Sequence, residues 1–93
     1  MQAVHLIIQG KVQGVGYRRW FEQQAIQLGL KGYVRNLETG EVEAIIVGKE
    51  AIVQEMIQLS RTGPQRAEVT AIHQQSLNLQ DADFQDFRVL TKD

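Results

Sequence analysis

The chain has 93 residues, 43% apolar and 23% charged, which is ordinary globular composition and enough for one hydrophobic core but not two. Ten Lys and Arg against eleven Asp and Glu leave a formal charge of −1, so no global field draws the chain to nucleic acid. The absence of cysteine excludes disulfides, a thiol nucleophile and a thiolate metal centre.

The first predicted element is a strand over residues 4–10, where the apolar run Leu6-Ile7-Ile8 suggests a central position in a sheet. A helix is expected over 18–28, since Phe21, Ala25 and Leu28 fall at i, i+4 and i+7 and Gly29 supplies a stop. Residues 30–36 alternate Leu30, Gly32 and Val34 against Lys31, Tyr33 and Arg35, the pattern of a second strand. The turn Leu37-Glu38-Thr39-Gly40 leads into its hairpin partner over 41–48, with Val42, Ala44 and Ile46 on one face. A second helix carries Ile52, Met56 and Leu59 as its stripe, widened by Val53 and Ile57, and ends at Thr62-Gly63-Pro64. A strand over 67–75, a polar loop over 78–86 and a short strand over 87–90 complete the chain, with no internal repeat or linker.

The order β-α-β-β-α-β plus a short terminal strand predicts an α+β fold of the ferredoxin-like split βαβ kind, an antiparallel sheet with two helices on one face. The chain is expected to form a single domain over residues 1–93. A strand-helix-strand crossover makes the first two strands parallel. The end of strand one, the start of helix one and the end of strand two then share one sheet edge, which brings residues 10–18 near Asn36. The N-terminal segment has no basic region or small-residue cleavage site and no apolar run long enough to cross a bilayer, so a cytoplasmic protein without membrane partners is expected.

The segment Gly10-Lys-Val-Gln-Gly-Val-Gly-Tyr-Arg18 points to an anion. Glycines at 10, 14 and 16 allow successive amides to turn inward, and the helix that follows offers unpaired N–H groups and a partial positive charge. Arg18 and Arg19 lie in the first helical turn, where a cation is disfavoured by about 0.3–1 kcal/mol. Between Lys11 and Arg35 there are five basic residues (Lys11, Arg18, Arg19, Lys31, Arg35) and one acid, Glu22. An arginine of this kind commonly pairs with an acid elsewhere in a fold. The coincidence of glycines, helix end and charge favours an anion site, with Arg18 inward and Arg19, about 100° further round, in solvent. The segment is not a P-loop, because no Gly-Lys-Ser/Thr closes it, and Arg19 stands where a dinucleotide fingerprint has its third glycine.

Gly10-Lys-Val-Gln-Gly-Val-Gly-Tyr-Arg18 followed by Gly32-Tyr-Val-Arg-Asn36 resembles the acylphosphatases, whose loop reads Gly-x-Val-Gln-Gly-Val-x-Phe/Tyr-Arg and whose next strand reads Gly-Trp/Tyr-Val-Arg/Lys-Asn. The hairpin and the segment after the second helix are similar too, so the resemblance spans nearly the whole chain. Tyr17 stands in place of the more usual Phe, and Tyr33 in place of Trp. The resemblance implies hydrolysis of acyl phosphates to a carboxylate and inorganic phosphate with no cofactor or metal. It further implies that Arg18 binds the phosphoryl oxygens beside the amides of Gln13, Gly14, Val15, Gly16, Tyr17 and Arg18, and that Asn36 orients the attacking water. The expected partners are a small-molecule acyl phosphate and inorganic phosphate, without nucleic acid, and the chain is expected to be a monomer.

No general base is evident beside the loop. His5 and His73 fall inside strands as ordinary sheet residues, and Glu38 lies in a solvated turn. A glutamine such as Gln13 in a surface loop is commonly solvated, and an asparagine at a strand end such as Asn36 is commonplace. Two alternatives remain open at this level. An RNA-binding module shares the topology, and Lys31-Gly32-Tyr33-Val34 faintly matches its central motif, but the aromatic continuation is missing. A catalytically silent phosphate-binding module on the same fold is the other.

Overall fold

The computed structural model describes residues 1–78 and 83–90. They form β1 (Gln2–Lys11), α1 (Tyr17–Gln27), β2 (Lys31–Asn36), β3 (Val42–Gly48), α2 (Glu50–Thr62), β4 (Glu68–Leu77) and β5 (Phe87–Leu90). The strand boundaries fall within two residues of those expected from the sequence. The polar loop expected over 78–86 lies partly outside the described residues. The strands form one sheet in the order β4-β1-β3-β2-β5. β3 pairs antiparallel with both β1 and β2, so β1 and β2 run parallel, two strands apart, as the crossover requires.

The expectation of a purely antiparallel sheet is corrected at one edge. β5 pairs parallel with β2, with Gly32 opposite Phe87 and Arg35 opposite Leu90, so the sheet is mixed. Its consequence is directional. The carboxyl end of β5 arrives at the same edge as the carboxyl ends of β1 and β2.

Both helices cover one face. Val4, Leu6 and Ile8 of β1, Val34 of β2, and Val42, Ala44 and Ile46 of β3 point inward and are almost wholly buried. They meet Tyr17, Phe21 and Ala25 from α1 and Val53, Met56 and Ile57 from α2. Successive strand residues face opposite ways, so the alternation in the sequence becomes a core face and an open face. The stripe of α2 is rotated from the expected one. Val53, Met56, Ile57 and Ser60 face the core, whereas Ile52 and Leu59 lie at its margin. Ser60 can occupy an apolar face because its hydroxyl donates to the Met56 carbonyl at 2.7 Å, within the same helix.

A second buried bond ties the helices together. Pro64 follows Ser60 by four residues and has no N–H, so the Ser60 carbonyl lacks its ordinary helical donor. The Tyr17 hydroxyl supplies it at 2.7 Å. Burial pushes the Tyr17 phenol well above its ordinary range, so it stays a neutral donor.

On the open face the Glu43 carboxylate gathers three partners from neighbouring strands. It meets His5 Nε2 at 2.8 Å and accepts from the Tyr33 hydroxyl at 3.1 Å and from Arg35 Nε at 2.5 Å. Gly10 marks a break in β1. The register against β4 shifts between Gln9 and Gly10, and a β-carbon at Gly10, whose φ is +123°, would stand 2.1 Å from the Glu68 carbonyl oxygen. Gly10 therefore permits a bulge and a close strand approach, and takes no part in an anion loop.

Candidate functional site

At the edge where β1 ends, α1 begins and β2 ends lies a cleft of about 480 Å³. The loop contributes Gln13, Gly14 and Gly16 to its wall, α1 contributes Arg18, Arg19 and Glu22, and β2 contributes Asn36. Val12, Tyr17 and Val89 supply apolar wall, the last from β5. Most of the residues proposed from sequence thus converge. The side chain of Val15 turns into the core, and its expected contribution is by the main-chain amide alone.

Gly14 and Gly16 both adopt left-handed backbone, with φ of 75° and 77°. A β-carbon on either would meet nothing within 4 Å, so the turn itself calls for glycine here, and crowding does not. Gly16 is the N-cap of α1, with no side chain capping the helix and no acid in its first turn. The Trp20 amide donates to the Gly16 carbonyl at 3.1 Å and closes the first turn. The amides of Tyr17, Arg18 and Arg19 precede any intrahelical acceptor, and such a helix start suits an anion.

Arg18 is half-buried, and its Nη1 donates to the Leu90 carbonyl at 3.4 Å. Among the described residues no carboxylate pairs with it. A guanidinium carries five N–H donors, so this contact leaves a bidentate edge available for an oxyanion. Arg19 is exposed, as expected, yet it also borders the cleft.

The charge cluster counted along the sequence disperses in space. Arg35 faces the open side of the sheet and pairs with Glu43, Lys31 is exposed at the far end of β2, and Lys11 is exposed outside the cleft wall. What remains at the cleft is two guanidinium groups and one carboxylate, Glu22.

Asn36 ends β2 with its carboxamide oxygen buried and without a hydrogen-bond partner among the described residues. Such an orphaned acceptor costs about 1–3 kcal/mol, so its presence at a cleft wall needs a reason. Gln13 is less solvent-bound than a loop glutamine suggests. Its Nε2 donates to the carbonyls of Leu37 and Glu41, both at 2.9 Å. The contribution of β5 was also not visible in the sequence, because only the parallel pairing to β2 brings Val89 and Leu90 to this edge.

The histidines sit elsewhere. His5 meets Glu43, and His73 Nε2 meets Gln9 Oε1 at 3.1 Å, both away from the cleft. Glu38 is exposed and does not line it. Among the described residues, no group of three or more His, Cys, Asp or Glu side chains is placed to hold a metal ion.

Comparison with known proteins agrees with the motif resemblance. The acylphosphatase family model matches residues 4–89. A curated acylphosphatase of Rhizobium etli is 39% identical over 88 residues, covering 95% of this chain and 93% of its own. One of Azorhizobium caulinodans is 46% identical over 71 residues, 76% of each chain. The solved acylphosphatase of Coxiella burnetii superposes with a TM-score of 0.89 at 31% identity, over 96% of this chain and 92% of that one. The chain belongs to the acylphosphatase family, and its activity is the hydrolysis of acyl phosphates to a carboxylate and inorganic phosphate.

Proposed function

We propose that Arg18 and the amides of Gln13, Gly14, Val15, Gly16, Tyr17 and Arg18 hold the phosphoryl group, while Asn36 aims the attacking water. The observation that carries this assignment is the unpartnered carboxamide oxygen of Asn36 in the same cleft wall as the Arg18 guanidinium. Asn36 lines the cleft and its oxygen is committed to no donor among the described residues, so a turn of the side chain brings the carboxamide onto a water. Arg18, uncompensated by a carboxylate among the described residues, is suited to a phosphate.

The chemistry asks little more of the protein. The leaving group is a carboxylate whose conjugate acid has a pKa of about 4, so its departure needs no protonation at neutral pH. Phosphoryl transfer then depends on holding the equatorial oxygens, spreading their charge and aligning the nucleophile in line. A carboxamide is too weak a base to take the water's proton. A phosphate oxygen of the substrate receives it as the O–P bond forms and the P–O bond to the acyl group breaks. The whole chain acts as one domain, a monomer in the cytoplasm, with no metal, cofactor, nucleic acid or membrane in the reaction.

Release of phosphate from benzoyl phosphate tests the scheme. Turnover is expected to survive a chelator. Arg18→Gln and Asn36→Ala are each expected to lower turnover at least about tenfold, more than about 1.4 kcal/mol of barrier. Arg18→Gln also weakens inhibition by inorganic phosphate, whereas Asn36→Ala lowers kcat and leaves that inhibition in place. Normal turnover in either folded variant removes that residue's role. The molecular mass in solution checks the monomer.

A further inference from the structure

Two parts of the site come from strands that do not touch. The anion loop follows β1 and Asn36 ends β2, with β3 between them in the sheet. Hydrogen bonds of the ladder therefore join β1 to β2 only through β3. The Gln13 side chain crosses this gap directly. One Nε2 donates to the carbonyl of Leu37, the residue after Asn36, and to that of Glu41, the last residue before β3. The same two residues close the hairpin between them, since the Leu37 amide donates to the Glu41 carbonyl at 2.8 Å. The Leu37 carbonyl also receives the Gly40 amide at 3.1 Å. Gln13 thus grips both sides of the turn at its base, where β2 gives way to it.

We propose that Gln13 is a positioning residue that fixes the Asn36 carboxamide relative to the phosphate loop, a role that depends on the water-orienting function of Asn36 set out above. The geometry divides the residue into two tasks. Its main chain belongs to the cradle, and its side chain sets the distance from the cradle to the water. A solvated loop glutamine would lose little on truncation. A glutamine that donates to two carbonyls across 24 and 28 residues of sequence joins separately built halves of a site. Near-attack geometry is sensitive to displacements of the order of 1 Å, so slack in this brace acts on kcat while the phosphate grip remains.

Three enzymes and their double variant test this with benzoyl phosphate as substrate and inorganic phosphate as inhibitor. Gln13→Met keeps the length and removes both donated bonds. It is expected to lower kcat about tenfold while changing phosphate inhibition less than about threefold. In the Asn36→Ala background the same change is expected to cost less than about twofold, because the group it positions is gone. Gln13→Lys restores a donor of similar reach and is expected to retain kcat within about threefold of the parent. Unaltered kcat in folded Gln13→Met, a full independent loss in the Asn36→Ala background, or a loss above about tenfold in folded Gln13→Lys each overturns the proposal. Should Gln13→Met fail to fold, Gln13→Leu, which also removes both donated bonds, takes its place with the same expected losses. Undiminished turnover in Asn36→Ala itself is a different result. It removes the role of Asn36 and leaves the bond from Gln13 as a stability contact.

Discussion

Tyr17 does two things from one position at the start of α1. Its ring joins Phe21 and Trp20 in the core, with ring centroids 6.1 and 5.5 Å away. Its hydroxyl replaces the N–H that Pro64 cannot offer to the Ser60 carbonyl. Phenylalanine keeps the ring and loses the hydroxyl, leaving a buried carbonyl without a donor. Tyr17→Phe is expected to cost about 1–3 kcal/mol, which in a chain of this size lowers Tm by roughly 4–8 °C for each kcal/mol. Thermal unfolding followed by circular dichroism measures it, and an unchanged Tm refutes the compensation for Pro64. Arg19 carries a second expectation at this scale, because it borders the cleft without an ion pair among the described residues. Arg19→Gln is expected to raise KM for acyl phosphates by a factor of about 2–5, the order of a screened surface charge, with little change in kcat. A fall in kcat equal to that of Arg18→Gln would place Arg19 on the phosphoryl group instead.

At the scale of elements, two glycines of one motif separate into different duties. Gly10 lies where β4 leaves no room for a β-carbon, and Gly14 lies in open space with a left-handed backbone. Gly14→Ala is expected to fold with a cost of about 1–2 kcal/mol and a weaker grip on phosphate. Gly10→Ala is expected to cost more, since the bulge between β1 and β4 must come apart. Chemical denaturation of both variants checks the order, and a smaller loss at Gly10 contradicts it. The sequence motif does not distinguish the two duties, because Gly10 at the end of the first predicted strand and Gly14 just beyond it both read as glycines that free the backbone around an anion. Element types and the core faces of β2 and β3 were legible, since alternation leaves a strand one way to bury its apolar side, whereas the unbroken Leu6-Ile7-Ile8 run of β1 signalled a central strand without naming its face. The rotation of α2 was not, because Ser60 reads as polar until its hydroxyl is seen to bond within its own helix. The parallel direction of β5 was hidden as well. Four residues carry no signal of which neighbour they will join. The convergence of the loop with Asn36 followed from the crossover alone, whereas the brace from Gln13 needed coordinates, since nothing local marks a glutamine's distant acceptors.

Across the whole molecule, the open face of the sheet is held by Glu43, which links β1, β2 and β3 through His5, Tyr33 and Arg35. Burial alone would raise the Glu43 carboxyl, but hydrogen bonds from these three partners and the charge of Arg35 hold it below its ordinary value. The unfolded chain therefore takes up this proton first as the pH falls. The stabilisation is complete above the ordinary glutamate value of about 4.5 and is lost as the pH drops through the lower folded value. Denaturation profiles between neutral and acid pH are expected to show stability declining below that point. Glu43→Gln is expected to be less stable at neutral pH and flatter in acid, and a parallel acid profile in the variant excludes Glu43 as the source.

The direction of β5 also decides how the enzyme tolerates being joined to other things. The chain leaves Leu90 beside the mouth of the cleft, next to the arginine that its carbonyl touches, whereas β1 begins at the opposite end of the sheet. A partner joined directly behind Leu90 would start beside the doorway through which substrate enters, while one joined ahead of Gln2 would start at the far end of the sheet. During synthesis on the ribosome, moreover, the doorway lacks one jamb until the final strand has emerged from the exit tunnel.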